Sequence, residues 1–246
     1  MEVHAHSHSE RKKWTHYVFE FLMLFLAVFA GFLAENQREH FVEHQREKQY
    51  IRSLISDVKT DTTNITTWLV WYSQIKKNCD TVLNDFDSLT KNYAVRSTRS
   101  YFYIINGFPD FIYTDRTIQQ LKNSGGMRLI RKIAATDSII AYDAAVRDLL
   151  IEETGISIYW DQLNDLTNKM LSFRKINSAF KIKTAKEIEN EKISFWIRHD
   201  AEQFELLYNL FFKYRQTVVG YSDYLVQLKN RGSRLVDFLQ TEYDMK

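Results

Sequence analysis

The chain has 246 residues, 45% of them hydrophobic, and its 33 Lys+Arg against 31 Asp+Glu leave a net charge of +2 spread along its length. That balance offers no basic footprint for nucleic acid, and the lone Cys79 excludes both a disulfide framework and a cysteine metal site. Seven Gly and one Pro are far below the usual share, so turn signals are scarce and the chain reads as all-α.

Residues 1–16 form a His-rich tail, expected to be flexible. His4, His6 and His8 alternate within it and His16 lies close by. Neutral imidazole is a good ligand for Zn, Cu or Ni, which makes His4, His6 and His8 the candidate metal ligands. A tail has no fixed partners to orient the rings, and alternate residues converge only if the tail folds around the ion. The spacing therefore assigns neither a metal nor a cofactor.

Residues 17–34 follow Arg11-Lys12-Lys13, are apolar throughout except Glu20, and stop at Glu35. The run Val18–Ala34 covers roughly 25 Å as a helix, and Trp14 to Tyr17 bring it to roughly the 30 Å of a bilayer core. It predicts a transmembrane helix over 17–34. A run this short also fits a buried core helix, or a signal peptide cleaved at Val28-Phe29-Ala30. Against cleavage, no Gly or Pro separates Phe32 from Ser53, so the helix is expected to run straight on. Flanking cations tie, with Arg11, Lys12 and Lys13 before the run and Arg38, Arg46 and Lys48 after it. The upstream three are contiguous on a short tail, which predicts a cytoplasmic amino terminus and a domain outside.

An ionisable group inside a span costs roughly a few kcal/mol unless it is paired or near the interface, so Glu20 stands out. Helical steps from it reach Leu24, Ala27, Gly31 and Ala34, and Ala30 widens the stripe. Ala27/Gly31 and Ala30/Ala34 have the small-xxx-small spacing that lets two helices approach closely in lipid. Glu20, Ala27, Ala30, Gly31 and Ala34 thus form the expected membrane packing face, for self-association or for a membrane-protein partner. His16, one turn earlier, is placed to pair with Glu20. The plainer alternative has Glu20 reaching headgroup water and the small residues without a role.

Residues 35–50 are expected to form a helical stalk, because Glu35 to Lys48 is polar all round except for Phe41 and Val42. A bundle domain is expected over 51–246, with an insert at 94–135. Its first seam steps by three and four through Ile51, Leu54, Val58, Asp61, Ile65, Trp68, Tyr72, Ile75, Cys79, Val82, Phe86, Leu89 and Tyr93. Within the insert, residues 101–105 suit a short strand or helix and Asn106 to Asp110 a turn. Short helices are expected from Thr117 to Asn123 and from Met127 to Ala134, separated by Ser124-Gly125-Gly126, where a glycine can take a left-handed cap.

Thr136-Asp137 is the expected cap of a second long helix. Its seam runs through Ile139, Tyr142, Val146, Leu149, Glu153, Ile156, Trp160, Leu163, Thr167 and Met170. A third runs Phe204, Leu207, Phe211, Tyr214, Val218, Tyr221, Leu225, Leu228, Gly232, Leu235 and Leu239. Such coiled-coil-like repeats imply three long helices packed at shallow angles in an antiparallel bundle. With the insert at the far end, the second helix returns towards the membrane. The link from Phe173 to Lys186 then lies near the membrane as a solvated loop, its Arg174, Lys175, Lys181, Lys183 and Lys186 within reach of anionic headgroups.

Asp61 and Glu153 fall on seams, where a carboxylate needs a partner. They are expected at a bundle margin or setting register, with a ligand cavity as the alternative. Trp71 and Phe212 lie just off the seams and suggest a fourth packing element or an oligomer interface. No metalloprotease HExxH, phosphate-cradling glycine loop or nucleophile elbow is present, so an enzyme is not expected.

EFLMLFLAVFAGFLAENQREH, SLISDVKTD and YTDRTIQQLKNSGGMRLIR together resemble a group of Bacteroidota proteins of unknown function. These share a His-containing tail, a single amino-terminal span that continues into a long helix, and a Leu-Lys-x-Ser-Gly turn before an Arg-Leu-Ile helix. The resemblance implies an envelope protein of a Gram-negative bacterium and transfers no active site. The resulting expectation is a single-pass inner-membrane protein whose periplasmic helical bundle acts as an interaction, scaffold or sensor-like module. The alternative is an envelope protein that binds a small ligand or metal.

Overall fold

The computed structural model describes residues 14–91, 100, 101, 103–105, 107, 110–191, 194–197 and 200–245. The chain divides into two compact units, residues 1–49 and 50–246. It is all-α: α1 (Trp14–Asn84), α2 (Phe86–Thr90), α3 (Arg116–Asn123), α4 (Ile133–Met170), α5 (Phe173–Ile182), α6 (Ala185–Asn190) and α7 (Ala201–Glu242). A 3₁₀ turn, Gly126–Leu129, precedes α4, and the described residues of 100–105 are helical.

In the second unit the three seams are the core. Ile51, Val58, Ile65, Tyr72, Cys79 and Val82 of α1 are buried, as are Ile139, Val146, Ile156 and Leu163 of α4 and Leu207, Tyr214, Tyr221, Leu228 and Leu239 of α7. Periodicity near 3.5 keeps one stripe of each long helix facing the same axis, which is why the repeat could be read in advance. Tyr93 lies outside the described residues.

Side-chain contacts fix the directions. Tyr72 meets Tyr221 at 5.2 Å between ring centroids, and the Arg215 guanidinium donates to Asp80 at 2.5 Å, so α7 runs antiparallel to α1. Gly155 approaches Thr217 while Tyr142 lies beside Gly232, so α7 is antiparallel to α4 as well. The remaining pair is therefore parallel, and the Tyr142 hydroxyl accordingly reaches Asp61 of α1 at 3.1 Å. This corrects the expectation that the second long helix turns back along the first. The described residues of 100–123 make the return instead. Tyr103 stacks near Trp71, the Trp160 indole donates to the Ile104 carbonyl at 3.2 Å, and Arg116 reaches Asp57. The insert is thus a fourth element of the bundle, and Trp71 packs against it.

Two local expectations change with this. Met127 to Ala134 is not one helix: Gly125 takes the left-handed conformation (φ 64°), the 3₁₀ turn follows, and Ile130 and Lys132 are extended. The second long helix starts at Ile133 rather than at a Thr136-Asp137 cap. Ala135 N and Thr136 N bond to Lys132 O at 3.0 and 3.1 Å, and the Thr136 hydroxyl points back to Ile130 O. Burial of Ile130 and Ala135 decides where the turn closes. Of the expected Asn106–Asp110 turn, Asn106, Phe108 and Pro109 lie outside the described residues.

The link after α4 is likewise no loop. Ser172 caps α5 by accepting from Lys175 N, and Ile176 and Ala179 are buried. Thr184 and Glu187 form a reciprocal capping box at α6, with Thr184 N to Glu187 Oε2 at 2.6 Å. Ser172 N to Phe195 O and Ile197 N to Met170 O, both 2.8 Å, pin the far side of the link to the end of α4. The Trp196 indole donates to Leu89 O at 2.9 Å. The link therefore sits at the Leu89 end of the bundle, opposite the Tyr50 end, because α4 runs parallel to α1.

In the first unit, residues 14–34 form an exposed helical surface. Phe21, Phe25 and Phe29 stack at one-turn intervals, 6.4 and 6.0 Å apart. Glu20, Ala27, Ala30, Gly31 and Ala34 lie on the opposite side and are exposed. By length and composition this stretch suffices to cross a membrane, with a mean hydropathy of 2.2 and none of it buried.

Candidate functional site

The densest polar chemistry of the second unit lies where the return segment crosses the long helices. Residues 110–115 are neither helix nor strand, so their backbone N–H groups have no periodic partners and need others when buried. Carboxylates from α1 and α4 supply them. Glu153 Oε1 accepts from Phe111 N at 2.6 Å, Asp61 Oδ1 from Thr114 N at 2.9 Å and Asp57 Oδ2 from Thr117 N at 3.2 Å. The three amides are three residues apart, so these carboxylates of α1 and α4 act as pegs along the returning chain.

Each peg has further donors. Asp57 also takes the Arg116 guanidinium at 2.7 Å and the Thr117 hydroxyl, Asp61 the Tyr142 hydroxyl, and Glu153 the Tyr221 hydroxyl at 3.1 Å. A fourth acid, Asp143, gathers Lys122 at 2.6 Å, Arg147, and the Tyr113 hydroxyl at 3.4 Å. Asp57, Asp61 and Asp143 are buried. Burial raises the Asp61 carboxyl above its ordinary range, against the pull of its hydrogen bonds to Thr114 and Tyr142, and the nearby Asp57 charge adds to the rise. Burial does the same to Glu153, opposed by Phe111 N and Tyr221. The Tyr142 and Tyr221 hydroxyls are pushed far up, first by burial, then for Tyr142 by Asp61 and for Tyr221 by Tyr72 and Glu153, so both stay donors.

Chemically these carboxylates are acceptors whose bonds are taken up within the protein. Asp61 and Glu153, expected to set register or sit at a margin, hold the return segment. Sequence reasoning missed Asp57 and Asp143. The signal for Asp57 was its place four residues before Asp61: two carboxylates on one helix face repel unless donors stand between them. Asp143, next to the seam residue Tyr142, gave no such pattern.

Elsewhere, a groove of about 320 Å³ lies between α4 and α7, lined by Ala141, Ala144, Ala145 and Asp148 on one side and Tyr224, Gln227 and Arg231 on the other. Among the described residues no group of three or more His, Cys, Asp or Glu is placed to hold a metal ion. His4, His6 and His8 lie outside the described residues. His16 rests edge-on against Tyr17, 6.3 Å between centroids. Cys79 is buried and its thiol is pushed up to about 12, mainly by desolvation. Phe212 is 47% exposed, whereas Trp71 is packed against Tyr72 and Tyr103. No family model, curated protein or solved structure matches the chain.

Proposed function

We propose that the chain is a single-pass, membrane-anchored protein whose second unit is an interaction, scaffold or sensor-like module rather than an enzyme. One observation carries the anchor: large apolar side chains such as Phe19, Phe21, Val28 and Phe32 are each about two-thirds exposed or more, while the seams of the second unit are buried. Apolar area on that scale needs cover, and a continuous stretch of bilayer length is covered by lipid. A core helix would be mostly buried, and a cleaved signal would not be expected to run into α1 without a break.

The interaction reading rests on the filled seams and the pegged carboxylates, which leave apolar side chains such as Val70, Ile151 and Phe212 exposed off the core. In the lipid phase, Glu20, Ala27, Ala30, Gly31 and Ala34 are the proposed contact face for a second copy or a membrane-protein partner. Nothing lies within 4 Å of a Cβ built on Gly31, so the face is open. The contiguity of Arg11, Lys12 and Lys13 on a short tail and the resemblance to Bacteroidota envelope proteins support an inner-membrane location with a cytoplasmic amino terminus and a periplasmic bundle.

Alkaline carbonate extraction tests the anchor. The full chain is expected in the membrane pellet with its intact mass, whereas release into the supernatant, or a mass lacking the residues before the Ala30 cleavage point, refutes it. Phosphatase and fluorescent-protein fusions at the carboxy terminus test the orientation: an active phosphatase fusion is expected, and a fluorescent cytoplasmic fusion reverses the assignment. Gly31→Leu is expected to reduce crosslinked oligomer in membranes, and unchanged crosslinking removes the contact face.

A further inference from the structure

Two stretches of the second unit each carry five cations and no carboxylate, residues 116–136 and residues 173–186. They differ in how those charges are used. In the first, Arg116 pairs with Asp57, Lys122 with Asp143 and Lys132 with Glu242. In the second, Lys183 pairs with Glu191, and among the described residues Arg174, Lys175, Lys181 and Lys186 have no carboxylate partner. Four of the five cations of the second stretch thus stand on α5 and α6, at the Leu89 end of the bundle, without an ion pair among the described residues.

The arrangement on α5 is specific. Ile176 and Ala179 turn into the core, which places Arg174 and Lys181, seven residues and so about two turns apart, in line along the outward face. Phe173, 40% exposed, and Ile182, 81% exposed, flank them. Cations alone would suit any polyanion. Exposed apolar side chains at the margins of the cationic strip suit an interface that offers negative headgroups and an acyl boundary together.

We propose that the outward face of α5 docks on an anionic lipid surface, with Arg174, Lys175 and Lys181 on the headgroups and Ile182 entering the acyl boundary. The docking surface lies wholly within the second unit and does not rest on the anchor reading.

The test uses the full chain reconstituted into phosphatidylcholine nanodiscs and mixed with separate vesicles, of phosphatidylcholine alone or containing phosphatidylglycerol, followed by flotation. Capture by the phosphatidylglycerol vesicles is expected, together with its loss on raising salt. Each cation near an anionic surface contributes roughly fivefold to partitioning, so Arg174→Glu/Lys181→Glu lowers capture by roughly 25-fold or more. Ile182→Ser lowers it further at constant charge. Both variants alter exposed side chains, and an unchanged circular dichroism spectrum keeps folding out of the comparison.

Equal capture by both vesicle types, or capture indifferent to the charge reversal, overturns the proposal. Retention on polyglutamate beads without capture by phosphatidylglycerol vesicles also overturns it, in favour of an acidic macromolecule. A chain that fails to enter the nanodisc refutes the anchor reading alone. The wild type and the charge-reversed pair are then compared on the same vesicles.

Discussion

Gly232 and Gly220 lie on the same helix, α7, yet alanine at the two positions is expected to change stability in opposite directions. A Cβ on Gly232 would stand 2.8 Å from Thr62 Cγ2 and 3.2 Å from both Tyr142 Cε2 and Val58 Cγ1, where all three long helices meet. None of these atoms is the free end of a flexible chain. The Thr62 hydroxyl is held by Lys59 O at 2.9 Å, so its methyl cannot swing aside without breaking that bond, and the Tyr142 ring is tied through its hydroxyl to Asp61. Alanine gains about 1 kcal/mol of helix propensity over glycine, against about 1–3 kcal/mol for forcing a methyl into a filled core. Gly232→Ala should therefore lose about 1 kcal/mol net. At Gly220 nothing lies within 4 Å of the added methyl, and Gly220→Ala keeps most of the propensity gain.

For a unit of this size each kcal/mol moves the melting temperature by about 2–4 °C. Thermal unfolding followed by circular dichroism, on the full chain in the same detergent, is expected to rank Gly220→Ala above wild type and Gly232→Ala below it. Thr62→Ser removes the closest methyl and should recover most of the loss in the double variant, a coupling a mutant cycle reads directly. If Gly232→Ala is as stable as Gly220→Ala, the three helices do not meet at Gly232 as described.

Asp57→Ala strands the Thr117 amide, the Thr117 hydroxyl and the Arg116 guanidinium; because Arg116 is largely exposed, the loss should come mainly from the buried Thr117 donors, about 2–3 kcal/mol by urea unfolding. A loss below about 0.5 kcal/mol would mean that the return segment is not held there. Asp61 has a folded-state pKa raised by burial, so folding takes up a proton: its contribution strengthens as pH falls through the folded value and levels off below the unfolded one. Asp61→Asn, which still accepts from Thr114 N, should make the stability curve less favourable to acid than wild type, and a change in the opposite direction refutes the assignment. Cys79, buried with its thiol pushed up to about 12, is expected to react with a disulfide reagent only at the rate of unfolding, and prompt labelling of native protein would contradict its packing.

Helix content and the three core stripes were legible in the residues because both are local and periodic. A shortage of Gly and Pro and apolar steps of three and four are enough to say which side of Ile65, Val146 or Leu228 faces inward, whatever the neighbours are. The same holds for the exposed apolar stretch before Glu35, whose length and hydropathy do not depend on the fold. Direction along the bundle was not legible. A seam reads the same whether its helix runs up or down, and only pairings such as Tyr142 with Asp61 and Tyr72 with Tyr221 distinguish the cases. The carboxylates illustrate the same limit: Asp61 and Glu153 announced themselves as polar residues on apolar seams, but their partners are amides of an irregular segment 53 and 42 positions away in sequence. Tertiary structure alone brought those amides into reach. In doing so it made the insert a fourth element of the core and carried the basic link to the Leu89 end, because a returning chain of about twenty residues allows α4 to run parallel to α1.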